Sequence, residues 1–431
     1  MIRTYTNPLP AEWPSLLERP AEPPTTIEPL VRDILEQVRK GGDAALRALS
    51  LKFDGAAPDS FQVSDAEIME GNAIDEDLKE AIAIAAENIA AFHAAQAEPP
   101  RKIETKPGVV CWRKSLPIER VGLYIPGGTA PLFSTLLMLA IPAKIAGCTE
   151  IVCCTPPRKD GSIDPTIRFV AAMIGNMKLF KIGGAQAVAA MAYGTESVPK
   201  VDKIFGPGNQ YVTLAKQLVQ MQGVAIDMPA GPSEVLVIAD HRANPDFVAA
   251  DLLSQAEHGA DSQVILVSDS QDLVNAVQQA LDWQLEKLPR KQLAAIALGH
   301  SKAIVVQDLH TAMAFSNAYA PEHLIIATEN AASLAEKVEN AGSVFIGDYS
   351  CESAGDYASG TNHTLPTNGF ARSYSGVSLD SFLKKITFQE LSPKGIQAIG
   401  PAIERMAAAE QLEAHRLAVT FRLEALRNGN D

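Results

Sequence analysis

Short apolar runs, several closed by glycine, recur between stretches of helical periodicity, and this alternation constrains the fold more than any other feature. Residues 121–125 read as a buried strand, Gly127-Gly128 as a turn, and 131–145 as a helix kinked at Pro142. The cycle continues with a strand at 150–154, a helix at 165–175 and a strand at 179–182 closed by Gly183-Gly184. A helix at 186–193, a strand at 203–205, the turn Gly206-Pro207-Gly208 and a helix from about 210 follow. A second series has strands at 234–238, 263–267, 303–306, 324–327 and 343–346, with helices at 246–258, 271–286 and 309–317 between them. Strands separated by helices describe parallel sheets, because parallel neighbours need a crossover long enough to hold a helix.

The flanks differ. Residues 1–24 form an arm punctuated by Pro8, Pro10, Pro14, Pro20, Pro23 and Pro24. Leu30, Val31, Ile34, Leu35 and Val38 then mark one face of a helix that stops at Gly41-Gly42, and an alanine-rich helix covers roughly 75–95. After Gly369 the pattern turns mixed and ends in one long amphipathic helix, about 401–426. The expected architecture is α/β, with two Rossmann-like domains built on incomplete parallel sheets. The first takes residues 25–120 and 233–376, the second 121–232, and a small helical C-terminal domain takes 377–431.

Bulk properties exclude several classes. With 431 residues the chain suits two or three domains, and 47% apolar residues fill sizeable cores. The formal net charge is −14 and no stretch gathers lysine and arginine into a stripe, which counts against a nucleic-acid partner. The amino terminus lacks an apolar signal core, and no run of about 18 apolar residues exists for a membrane span. Cys111, Cys148, Cys153, Cys154 and Cys351 are odd in number and lack zinc-finger or redox spacing, so a reduced cytoplasmic protein is the simplest reading. The cysteines read as core or turn residues rather than nucleophiles.

Several residues could carry chemistry, each with a plainer alternative. The turns Gly127-Gly128 and Gly183-Gly184 could admit a phosphate at a helix N-terminus, or merely punctuate the chain; neither matches G-x-G-x-x-G. Gln255 and His258, three apart near a helix end, could meet one ion or face solvent. Asp356 and His363 lie in a segment poor in secondary structure, 351–366, after the strand at 343–346, and loops beyond strand ends are where α/β proteins place sites. Glu322-His323, between Pro321 and a buried strand, is either a general-base pair or two solvated polar residues. Glu410 and His415, on one helix, would point roughly 140° apart and could flank a ligand or belong to a solvated surface.

Taken in order, these segments resemble a known family. Tyr124-Ile125-Pro126-Gly127-Gly128, Gly183-Gly184-Ala185-Gln186, Gly206-Pro207-Gly208-Asn209 and Ala230-Gly231-Pro232-Ser233 are similar to successive motifs of the histidinol dehydrogenases. So are Gln255-Ala256-Glu257-His258, Pro321-Glu322-His323, Ser353-Ala354-Gly355-Asp356, Thr361-Asn362-His363 and the C-terminal stretch 409–415. The resemblance covers almost the whole chain, and many ordered motifs are more specific than any one.

It implies one zinc ion per subunit, ligated by Gln255, His258, Asp356 and His415, and two-step oxidation of L-histidinol via L-histidinal to L-histidine with NAD. By the same resemblance Glu322 and His323 transfer protons, and Ser233, His363 and Glu410 join them and the zinc ligands in holding the substrate. Tyr124, Gln186 and Asn209 would contact NAD, and a homodimer would let Glu410 and His415 complete the partner's site. A related zinc- and NAD-dependent dehydrogenase acting on another small alcohol is the alternative.

Overall fold

The structure, a computed structural model, describes residues 2–20, 26–56, 58–127, 131–229 and 231–429. Pro23 and Pro24 of the arm, Gly128 and Ala230 lie outside them. The chain divides into two compact units, Met1–Gln96 with Ile118–Phe382 and Ala97–Pro117 with Leu383–Asp431.

The larger unit holds two wholly parallel sheets. One has six strands in the order Arg3–Thr6, Lys302–Val305, Gln263–Ser268, Glu234–Ala239, His323–Ala327 and Ser343–Ile346. The other has five, in the order Lys178–Lys181, Glu150–Thr155, Arg120–Tyr124, Lys203–Phe205 and Ala225–Ile226. Helices cover both faces, so the central strands are buried throughout rather than alternating. Val235, Val237, Val264 and Leu266 pack on one face of the six-stranded sheet, and Leu236, Ile238, Ile265 and Val267 on the other. Each such side chain contributes about 1.5–3 kcal/mol by leaving water.

Local chemistry sets where the crossover helices begin. The helix Pro245–Ala256 starts where the Asn244 side chain accepts from the N–H of Asp246, with proline in the first turn where no N–H is needed. It runs back against the strand direction, which brings its last turn level with the starts of strands 234–239 and 263–268. That placement matters for the site.

Two departures from the sequence reading have physical causes, and one expected stop is seen. The helix that begins at Glu28 breaks at Gly42, as the sequence reading has it, and a second helix runs on to Phe53. Gly42 leaves helical geometry (φ 49°, ψ −134°), the Glu196 carboxylate accepts from the N–H of Asp43 at 2.8 Å, and the apolar face resumes at Leu46 and Leu49. The arm is not merely a proline-punctuated lead: Arg3–Thr6 is the edge strand of the six-stranded sheet. The terminal helix is two, Pro393–Ala409 and Glu413–Asn428, broken at Gln411, whose φ is +60°. Glu410 closes the first helix and His415 lies in the first turn of the second, so the 140° separation expected of one continuous helix does not apply.

The smaller unit pairs Leu383–Leu391 with Val109–Pro117, and Val109–Pro117 with Ile103–Lys106, all antiparallel. Its two helices pack closely where Gly400 meets Val419 and Leu423. Among the described residues no helix is long and apolar enough to cross a membrane.

Candidate active site

Glu322 and His323 stand at the start of the strand His323–Ala327, beside the start of Glu234–Ala239, and the peptide groups of Glu234 hold both. The N–H of Glu234 donates to Glu322 Oε2 at 2.9 Å, while His323 Nδ1 donates to the carbonyl oxygen of Glu234 at 3.3 Å. A carbonyl can only accept, so Nδ1 carries the proton and Nε2 is left for chemistry. Nε2 is buried, has no hydrogen-bond partner, and lies 3.7 Å from Asp356 Oδ1.

Behind this pair is a satisfied network. The Tyr319 hydroxyl lies 3.1 Å from Glu234 Oε2 and 2.8 Å from Gln263 Oε1. Arg19, from the arm, makes a forked ion pair with Glu234 and covers the Tyr319 ring at 3.9 Å. A bidentate guanidinium fixes the carboxylate in angle as well as distance, and through it the first residue of the strand.

In front of the pair, groups converge from two helices and a loop. The last turn of Pro245–Ala256 brings Gln255, fully buried, and the turn that follows it brings His258, which is exposed. The short helix Glu352–Tyr357 brings Glu352 and Asp356, one turn apart and therefore on one face. Donor atoms of His258, Glu352 and Asp356 lie within 4.8 Å of one another. Both amide atoms of Gln255 and both carboxylate oxygens of Glu352 are buried without a partner. Buried polar atoms without partners cost about 1–3 kcal/mol each, so this many in one place mark a ligand site rather than core packing. A carboxylate, an imidazole and an amide suit a borderline cation such as zinc, and the residues fit that ion.

The electrostatics follow from burial of several acids around one imidazole. Burial pushes Glu322 up to about 8, against the pull of His323. Burial works to lower His323, but Glu352, Glu322 and Asp356 overcome it and hold it up at about 10. Asp356 goes the other way: burial raises it, but the surrounding histidines, led by His323, hold it below its ordinary value. Desolvation lowers His258, and Asp356 opposes the shift. His363, half-buried and lowered by desolvation, donates from Nδ1 to the backbone oxygen of Asp356 at 3.0 Å and accepts at Nε2 from the Thr135 hydroxyl at 3.0 Å. It thereby ties the donor cluster to the helix Phe133–Ala146 that follows the strand Arg120–Tyr124. Ser233, half-buried, precedes Glu234 and accepts through its carbonyl from the N–H of Gln263 at 3.2 Å.

A second cavity, of about 850 Å³, opens at the C-terminal ends of the five-stranded sheet and is lined by Asp54, Tyr124, Gly127, Thr155, Gln186 and Asn209, among others. It lies where open parallel sheets take nucleotides, and its volume suits a dinucleotide. The Tyr124 hydroxyl accepts from the N–H of Gly184 at 3.1 Å, and burial pushes its pKa up to about 12. Gln186 donates to Asp54 at 3.3 Å, and the Asn209 side chain caps the helix Gln210–Gln220. The described glycines of the two turns serve close packing: a Cβ on Gly127 or Gly183 would lie 2.3 or 2.6 Å from the Pro156 ring.

The sequence thus named Gln255, His258, Glu322, His323, Asp356 and His363, which converge, and Tyr124, Gln186 and Asn209, which share the other cavity. Glu410 and His415 belong to the smaller unit. Glu352 was missed. Its spacing of four from Asp356 was the available signal, had 352–357 been read as helix. Glu322, His323 and Gln255 meet at the starts of strands, where the C-terminal ends of returning helices arrive; of the segment 351–366, residues 352–357 are helix and His363 lies outside regular structure.

The comparisons agree with this geometry. The histidinol dehydrogenase family model matches residues 17–423. A histidinol dehydrogenase from Bacteroides thetaiotaomicron is 58% identical over 428 residues, 99% of this chain and 100% of that protein. One from Escherichia coli is 54% identical over 416 residues, 96% and 95% of the two chains. The crystal structure of histidinol dehydrogenase from Elizabethkingia anophelis superposes with a TM-score of 0.97 at 56% identity, covering 99% of each chain. A donor cluster beside a buried acid and imidazole, in a chain matched from end to end in sequence and fold, leaves one assignment: the chain belongs to the histidinol dehydrogenase family.

Proposed function

We propose that the protein oxidises L-histidinol through L-histidinal to L-histidine with two molecules of NAD, as a cytoplasmic homodimer. The observation that carries this reading is the free, buried Nε2 of His323 beside Glu322 and in front of a set of unpartnered donors. Gln255, His258 and Asp356 would hold a zinc ion with His415, which together with Glu410 would come from a second copy of the chain. Ser233 and His363 would hold the substrate alongside these groups, and Tyr124, Gln186 and Asn209 would hold NAD.

When bound, zinc would fix the substrate's nitrogens and NAD would accept hydride. The remaining work belongs to the side chains. His323 Nε2 takes the hydroxyl proton in the first oxidation, and the carboxylates around the ring stabilise the imidazolium that results. A divalent charge beside Asp356 would cancel part of that carboxylate field and bring His323 closer to neutral pH. Glu322, raised by burial, is a base strong enough to take a proton from the water that adds to the aldehyde. The N–H of Glu234 keeps its carboxylate in place.

Counting NADH formed per histidinol consumed tests the reading. Two are expected, with histidine as product. One NADH with accumulating aldehyde overturns the two-step reaction, and no NADH overturns the dehydrogenase reading.

A further inference from the structure

We propose that Lys216 and Asp227 are positioning residues for the cofactor: their buried ion pair clamps the turn 206–209 in the shape that presents Asn209 to the second cavity. The inference deepens the NAD reading above and rests on it. The turn leaves the strand Lys203–Phe205 and opens the helix Gln210–Gln220, whose Lys216 reaches back toward it. Asp227 follows the edge strand Ala225–Ile226. Lys216 Nζ pairs with Asp227 Oδ1, and the two side chains are 3% and 1% exposed. Between them they take both backbone polar groups of Gly206. Its N–H donates to Asp227 Oδ2 at 2.8 Å, and its carbonyl oxygen accepts from Lys216 Nζ at 2.8 Å.

A buried ion pair is poor evidence for stability, since apolar side chains of similar size fill the same space without the desolvation cost. Its effect here is geometric. Gly206 has φ +123°, where other residues are strained, and a Cβ there would stand 2.1 Å from the carbonyl oxygen of Tyr124. The turn therefore rests on the end of the strand that carries Tyr124. Its first residue lies past the last rung of the sheet ladder, so the ion pair takes the groups that a neighbouring strand does not. Charge-assisted bonds are about twice as strong as neutral ones, so the clamp sets the turn with no ligand present. Asn209 then accepts from the N–H groups of Tyr211 and Val212 at 3.1 Å and lines the cavity with Tyr124 and Gln186. A loosened turn would have to be ordered each time the cofactor binds, and that ordering is subtracted from affinity.

The test is NADH affinity of the zinc-loaded full chain, from the change in NADH fluorescence on titration, alongside the histidinol KM at saturating NAD. Lys216→Met removes one arm of the clamp. Lys216→Met combined with Asp227→Leu replaces the whole pair by apolar side chains and leaves neither charge buried alone. The clamp predicts that both proteins bind NADH about tenfold more weakly, the worth of one charge-assisted hydrogen bond, with the histidinol KM unchanged. A double variant that binds NADH as tightly as the parent means that only charge balance matters and overturns the clamp. Unchanged NADH affinity in Lys216→Met overturns it too, as does a rise in the histidinol KM equal to the loss of NADH affinity. Should the double variant not fold, Lys216→Met alone decides by the same two measurements. Failure of the parent protein to bind NADH would instead overturn the cofactor reading itself, and the clamp with it.

Discussion

His323 donates its Nδ1 proton to the carbonyl oxygen of Glu234 across 3.3 Å, and that bond fixes which ring nitrogen is left without a proton to donate. The other half of the same contact is the Glu234 N–H, which holds Glu322 at 2.9 Å. One residue on the neighbouring strand therefore orients both side chains through its backbone, where no substitution short of proline removes the bonds.

The two groups should separate by half-reaction. Glu322→Gln keeps the shape and an acceptor for the Glu234 N–H but cannot take a proton from water. Oxidation of supplied histidinal should fall by about 10²–10⁴-fold and the first oxidation by less. His323→Asn should show the reverse order. Equal losses in both half-reactions for both variants, measured by single-turnover NADH formation, would show that the pair acts as one unit.

Zinc removal should abolish turnover, and zinc added back should restore most of it, because so many buried donors converge on one point. His258→Asn should raise the zinc concentration needed for half-maximal rate. Full turnover in protein shown by elemental analysis to be free of metal would sink this expectation.

Asp54, in the second cavity, predicts a pH-dependent difference in stability. Burial lifts its pKa from 3.8 to about 6, against the hydrogen bond from Gln186. The folded pKa is above the unfolded one, so ionisation disfavours the fold: this group costs nothing below the unfolded value and progressively more up to the folded value. Asp54→Asn removes the cost. Its stability relative to the parent, from urea midpoints, should rise between about pH 4 and 6 and then level, by at most about 2 kcal/mol once partial exposure is counted. A difference that shrinks over that window would contradict the assignment.

Sharing of the site between subunits should appear as mutual rescue. Co-expression of His258→Asn with His415→Asn gives mixed dimers in which one site takes both lesions and the other neither. Random pairing makes half the dimers mixed, so about a quarter of full activity should return if His415 serves the partner. Activity no higher than the two variants assayed separately, with mixed dimers verified by differential tagging, would rule the sharing out.

Much of the fold was legible because buried parallel strands announce themselves: 234–239 and 263–268 are buried at every position, and a helix-length crossover joins them. What escaped has physical reasons. The helix Glu352–Tyr357 is six residues long and too short to show a period, so its Glu352 was passed over. The strand Leu383–Leu391 is mostly exposed and pairs with a segment some 270 residues earlier, leaving no local apolar signal. The break after Ala409 depends on Gln411 adopting positive φ without glycine, which composition does not betray. The site's residues were legible as types at spacings. Their meeting at the starts of strands was not, because it depends on where returning helices end.

The edge strand Arg3–Thr6 pairs with Lys302–Val305 and with no other strand among the described residues. During synthesis its partner emerges about 300 residues later, which at about 5–20 residues per second is roughly 15–60 s. For that interval the nascent chain carries an unpaired strand, the kind of segment that templates aggregation when it is long and apolar. This one is four residues, Arg-Thr-Tyr-Thr. Its brevity and polarity let it wait on the ribosome, and the sheet that carries His323 gains this edge strand only once residues 302–305 have been made.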